Sequence, residues 1–156
     1  MTPEALMQLA IDAAQAGIAS GQSPFGCAIA VGDRVLACER NAVLETVDIT
    51  AHAEINAIRT ACRNRGDIFL SGAIVATTCE PCPMCMAALH WARVDTVYYG
   101  ASIADATGGG FNELTLSAAD VVRLGKSPVR LVSGILAEDC RRLFDLWKQT
   151  PGTKAY

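Results

Sequence analysis

Between Gly72 and Tyr99 the chain reads as strand, helix, strand, and this run constrains the fold more than any other feature. Gly72–Thr78 (GAIVATT) and Thr96–Tyr99 (TVYY) are rich in β-branched and aromatic residues, whereas Pro83–Ala92 has the Met and Ala content of a helix. Strands that alternate with helices argue for a parallel arrangement with helices on both faces. The chain is therefore expected to be an α/β protein.

The flanking segments extend this pattern. Thr2–Ser20 predicts a first helix, with Thr2 placed to cap, Pro3 at the first helical position and Gly21 as a stop. Phe25–Val31 and Arg34–Glu39 read as two strands joined by a tight turn at Gly32-Asp33. A loop over Arg40–Thr50 leads to a helix from about Ala51 to Arg65. A glycine-rich loop, Ala106–Gly110, precedes a short helix around Ser117–Leu124. Val129–Val132 reads as the last strand and Ala137–Lys148 as the last helix, with an irregular tail over Thr150–Tyr156. No repeat, low-complexity segment or linker divides the chain, so residues 1–156 are expected to form one domain. A hydrophobic content of 51% is enough to build its core without disulfides.

Seven cysteines therefore need another explanation. The start, Met1-Thr2-Pro3, lacks the basic and apolar regions of a secretory signal, and no apolar run suffices for a membrane span. A cytoplasmic location with reduced thiols is expected. With 13 Lys and Arg against 16 Asp and Glu, the net charge of −3 argues against a long polyphosphate partner.

The chemistry concentrates in His52-Ala53-Glu54 and Pro81-Cys82-Pro83-Met84-Cys85. One imidazole and two thiolates supply three ligands for Zn²⁺, leaving a fourth tetrahedral position for water. In the first turn of a helix begun by Pro83, free N–H groups and the helix dipole favour the thiolates of Cys82 and Cys85. Glu54, two residues after His52, projects its carboxylate near the metal and can move protons between that water and a substrate. Cys-x-x-Cys alone also suits a redox pair or half of a structural zinc site. The nearby His-x-Glu favours catalytic zinc. A closed structural site needs a fourth ligand, and its sole local candidate, Cys79, ends a strand and is expected to point into the core.

His-x-Glu with Pro-Cys-x-x-Cys is the zinc deaminase signature. With Pro24-Phe25-Gly26, Thr50–Glu54 and Cys79–Cys85, the chain resembles the cytidine deaminase superfamily in its purine and tRNA-adenosine branch. The resemblance covers nearly the whole length. It implies a three-layer α/β/α sandwich around a five-stranded mixed sheet, zinc on His52, Cys82 and Cys85, and Glu54 as proton shuttle. The backbone N–H of Ala53 would orient the base.

Within that branch the chain is similar to small guanine deaminases in His90-Trp91-Ala92-Arg93 and in Gly110-Phe111-Asn112-Glu113. This likeness implies a base-binding role for Asn41, eleven positions before His52, and an acidic role for Glu113 at the amino side of the base. It implies that Tyr156 closes the site from a tail that such dimers exchange, and that Phe25 and Trp91 pack on the purine face. The expected reaction is guanine to xanthine and ammonia on a small nucleobase, in a homodimer, with an aminated triazine or another base as a related substrate. Asn112 departs from the second acid usual in guanine deaminases, and Ser133–Glu138 resembles tRNA-adenosine deaminases, so adenosine-to-inosine conversion in tRNA is the alternative. Against it, the last helix mixes Arg141, Arg142 and Lys148 with Glu138, Asp139 and Asp145, and the tail has no basic cluster. Judged by residue type alone, Asn41 and Glu113 are ordinary loop residues, Tyr156 a frayed end and Trp91 a core residue. Cys27, Cys38, Cys62, Cys79 and Cys140 are expected to be reduced packing residues.

Overall fold

A computed structural model describes residues 1–156. The first helix, α1, spans Pro3–Ala19, with the Thr2 side chain accepting from the Ala5 N–H at its start. Two strands follow, β1 (Gly26–Val31) and β2 (Arg34–Arg40), paired antiparallel. After a single turn, α2 (Val43–Thr46), come α3 (Ala53–Arg65), β3 (Ala73–Cys79), α4 (Pro83–Trp91) and β4 (Thr96–Ala101). The last elements are α5 (Ile103–Gly108), α6 (Ala118–Leu124), β5 (Arg130–Ser133) and α7 (Ala137–Gln149).

The five strands make one mixed sheet in the order β2-β1-β3-β4-β5. β3 pairs antiparallel with β1 on one side and parallel with β4 on the other, and β4 pairs parallel with β5. The parallel half is the strand, helix, strand run that the sequence pattern marked. Alternation along the strands feeds two cores. Ala28 and Ala30 of β1 and Ala76 of β3 face α1 and α7, meeting Leu6, Met7, Ile18, Leu143 and Trp147. Cys27 and Ile29 of β1 and Val75 of β3 face the opposite layer, meeting Ala57, Met86 and Leu89 of α3 and α4. Helices thus cover both faces of the sheet in three α/β/α layers.

Small residues set the layer spacing. A Cβ at Gly26 would run into Ala10 O and stand 2.8 Å from Ala14 N, both backbone atoms of α1. The strand therefore lies directly against the helix, and a side chain there would push the two apart.

Two helical segments depart from the expected loops. α2 falls inside Arg40–Thr50, and α5 occupies the start of the glycine-rich segment. α5 forms because Ser102 and Asp105 make a reciprocal capping box, which ties down the turn before the glycines take over. No helix is long and apolar enough to cross a membrane.

Candidate active site

The site forms where α3 and α4 begin at the same end of the sheet. His52 is the N-cap of α3 and Cys82 the N-cap of α4, with Pro83 opening that helix and Cys85 in its first turn. Both caps have extended backbone, which turns their side chains off the helix axes toward one another. His52 Nδ1 lies 3.7 Å from Cys82 Sγ and 3.5 Å from Cys85 Sγ. The three ligand atoms lie within 4.8 Å of one another, a separation and donor set suited to tetrahedral Zn²⁺ with one position left for solvent.

Electrostatics in the cluster reflect its need for a cation. Cys85 facing it lowers the Cys82 thiol to about 4, with burial opposing and His52 assisting. Sharing that proton drives Cys85 far in the other direction, and burial and Glu54 add to the rise. Without metal the pair holds one thiolate and one thiol. A divalent cation supplies the charge that releases the second proton. Burial depresses His52, yet Cys82, Glu54 and Glu113 outweigh it and leave the imidazole above its ordinary range.

Glu54, at the second position of α3, is buried and points at the same space. Burial, reinforced by Cys82, raises its carboxyl above the ordinary carboxylate range. The Thr77 hydroxyl donates to Glu54 Oε1 at 3.2 Å and fixes its orientation from β3. Ala53 opens α3, so its N–H is one of the first-turn donors that have no acceptor within a helix.

A cavity of about 310 Å³ opens over these groups. Phe25, Asn41, His52, Glu54, Glu113 and Tyr156 all line it, together with Phe111 and Asn112. Phe25 packs edge-on to Phe111 at 4.9 Å between centroids, and Phe111 packs edge-on to Tyr156 at 5.5 Å. Asn41 is fully buried; its Oδ1 accepts the Val43 N–H and its Nδ2 donates to the Tyr156 phenol at 2.7 Å. Its amide is therefore oriented with the NH₂ toward the cavity, where it serves as a donor. Burial raises the Tyr156 phenol to about 12, against the hydrogen bond from Asn41. The Asn112 N–H donates to the Tyr156 carbonyl at 3.0 Å. Burial also raises Glu113 above the ordinary carboxylate range, with Cys82 adding to it.

The family model for the cytidine and deoxycytidylate deaminase zinc-binding region matches residues 1–101. The chain belongs to the cytidine deaminase family. It is a zinc-dependent deaminase, and its residues fit the metal by donor chemistry and by distance. The guanine deaminase of Bacillus subtilis is 40% identical over 114 residues, 72% of this chain and 73% of that one. The tRNA-specific adenosine deaminase of Agrobacterium fabrum is 42% identical over 103 residues, 66% of each. The solved guanine deaminase of Nitrosomonas europaea superposes on this deaminase with a TM-score of 0.86 at 26% identity, over 94% of this chain and 84% of that one.

Two expectations for this deaminase need correction. Trp91 does not reach the cavity: it is 78% exposed and lines a separate surface groove with Phe69 and Arg93. α4 begins at the metal ligands and runs away from them, and nine residues carry its last side chain roughly 13 Å along the axis. Cys38 is exposed rather than packed, whereas Cys27, Cys79 and Cys140 are buried. Reasoning from sequence also passed over Thr77 and Glu80. Thr77 carried a signal, because alternation along β3 puts it on the face of Cys27 and Val75, beneath α3.

Proposed function

We propose that the deaminase hydrolyses the amino group of a free purine base, converting guanine to xanthine and ammonia. The observation that carries this reading is the Tyr156 ring, which lines the cavity, is held there by Asn41 and Phe111, and is read as a lid. A lid at that place suits a detached base; a nucleotide extruded from RNA must keep its ribose and phosphates connected through the mouth. The surface supports the same choice. Arg141 pairs with Glu138 at 2.9 Å and Arg142 with Asp139 at 3.0 Å, so the last helix offers no free positive face.

Zinc on His52, Cys82 and Cys85 would supply a water activated for attack at neutral pH. Glu54 takes a proton from the attacking water as its oxygen bonds to C2, and delivers that proton to a ring nitrogen beside C2. As the bond from C2 to the exocyclic nitrogen breaks, Glu54 takes the proton of the hydroxyl now on C2, passes it to the departing amine to give ammonia, and leaves C2 as a carbonyl and itself as the starting carboxylate. Glu113 accepts an N–H at the amino side, while the Asn41 NH₂ donates to an acceptor elsewhere on the ring. The Ala53 N–H orients the base against Phe25, and Phe25, Phe111 and Tyr156 exclude water. The enzyme acts as a homodimer, in which residues 150–156 close a site of the pair.

Incubation of the zinc-loaded enzyme with guanine, adenine, cytosine, guanosine and an anticodon stem-loop is the test. Release of xanthine and ammonia is expected. Rapid inosine formation in the stem-loop without guanine turnover would replace this reading with the tRNA one, which the similarity to tRNA-specific adenosine deaminases favours.

A further inference from the structure

Glu80 lies two residues before Cys82, where β3 hands over to α4. Its two carboxylate oxygens go to two different helices. Oε2 accepts the Ile103 N–H at 3.1 Å and Oε1 accepts the Ala118 N–H at 2.9 Å. Ile103 and Ala118 are the first residues of α5 and α6, so each offers an N–H that its own helix leaves without a partner. The Glu80 N–H is in turn anchored on Ala101 O at 2.8 Å, the end of β4.

Residues 109–117 run between those two helices without regular structure and carry Phe111, Asn112, Glu113 and Leu114 into the cavity. The segment's ends join those helices, and between them Phe111 alone is buried, packed on Phe144 and Trp147 of α7. The segment makes contacts with Tyr156, through the Asn112 N–H and the Phe111 ring, but Tyr156 is itself a tail residue. We propose that Glu80 is a positioning residue for substrate binding. Through one side chain it fixes the start of α5, the helix that leads into the 109–117 segment, and Ala118, the residue that follows it, to the strand that leads into the zinc ligands, and so sets the distance between Glu113 and the metal. This rests on the reading of Glu113 as a substrate-facing acid.

The chemistry limits what can replace it. A carboxylate can accept at both oxygens at once. Gln offers one acceptor and turns an NH₂ donor toward the other N–H, so Glu80→Gln keeps one helix and loses the other. Asp has the right charge but is one methylene too short to span both donors.

The test uses the zinc-loaded full chain with Glu80→Gln and Glu80→Asp, measuring zinc content, amide hydrogen exchange without substrate, and steady-state kinetics on whichever base the wild type converts. The expected result is full zinc occupancy and exchange over residues 109–117 faster by about tenfold, with α1 and α3 unchanged. KM should rise by about tenfold, with kcat altered by less than about threefold. Unchanged exchange in 109–117 overturns the clamp, and unchanged KM overturns its role in binding. A fall in kcat with KM unmoved assigns Glu80 to the chemistry and also overturns the proposal. Since exchange is read without substrate, a failure of the guanine reading shows in the base panel alone.

Discussion

Asn41 Nδ2 donates to the Tyr156 phenol at 2.7 Å and so ties the tail to the start of the α2 turn, 115 positions away. The amide cannot flip freely, because its Oδ1 already holds the Val43 N–H. Tyr156→Phe removes this bond and keeps the ring against Phe111. KM for the base is expected to rise about threefold to tenfold, the worth of one such hydrogen bond, with kcat near wild type. Removal of residues 150–156 should cost more, since the ring is lost as well. Steady-state kinetics on both variants gives the comparison, and full activity in the truncated chain would reduce Tyr156 to a loose end.

Glu54→Gln retains a side chain of the same size and an acceptor for the Thr77 hydroxyl, and cannot carry protons. Turnover should fall by about 10²–10⁴-fold. Zinc content by atomic absorption and the far-ultraviolet spectrum should stay as in wild type. Activity within threefold of wild type would falsify the proton-shuttle assignment.

Metal removal separates the cluster from the fold. The two cores that flank the sheet are closed by apolar side chains and do not include His52 or Cys82. Chelation is expected to abolish turnover while most secondary structure survives, and zinc should restore activity. Peptide mapping after iodoacetamide should find Cys82 alkylated only in the stripped protein, because its thiol then sits at about 4 and is ionised at neutral pH. Cys38, exposed in either form, is the internal control.

Glu113 gives stability a pH dependence of defined sign. Burial raises its folded pKa above the ordinary value, so the folded chain holds that proton more tightly than the unfolded one. Its contribution to stability is present below the ordinary Glu pKa and is lost as pH rises through the raised folded value. Relative to Glu113→Gln, the wild type should therefore lose stability as pH rises above the ordinary Glu range. Urea titration of both metal-free proteins across that range measures it. A constant difference between them would mean that Glu113 is solvated.

Much of the metal half could be read from residue order. Pro83 marks the start of α4 and His52-x-Glu54 the start of α3, and helix starts are local features with local signals. The meeting of the two starts rests on β1 pairing antiparallel with both β2 and β3, whereas the strand, helix, strand run implied only that β3 and β4 are parallel. Other parts depend on distance along elements or on single contacts. Trp91 was misplaced because its purine-face role was taken from the resemblance to guanine deaminases, whereas helix length decides which end it occupies. α5 was hidden by Gly108-Gly109-Gly110, although the Ser102 and Asp105 spacing announces it. α2 has no side-chain cap and spans four residues, so it left no mark. Glu80 could not be assigned because its partners are backbone N–H groups of elements 23 and 38 positions away.

The zinc ligands and Glu54 stand on the first turns of helices packed against the sheet, while Phe111, Asn112, Glu113 and Tyr156 stand on irregular chain. On the proposed reading, catalyst and selector are thus built on regular and irregular chain respectively. Substitutions in the irregular segments can exchange one base for another without disturbing the metal, so a single catalytic frame can serve several substrates over evolutionary time. An engineer seeking a new deaminase from this chain would randomise residues 109–117 and 150–156 first and leave the helix starts alone.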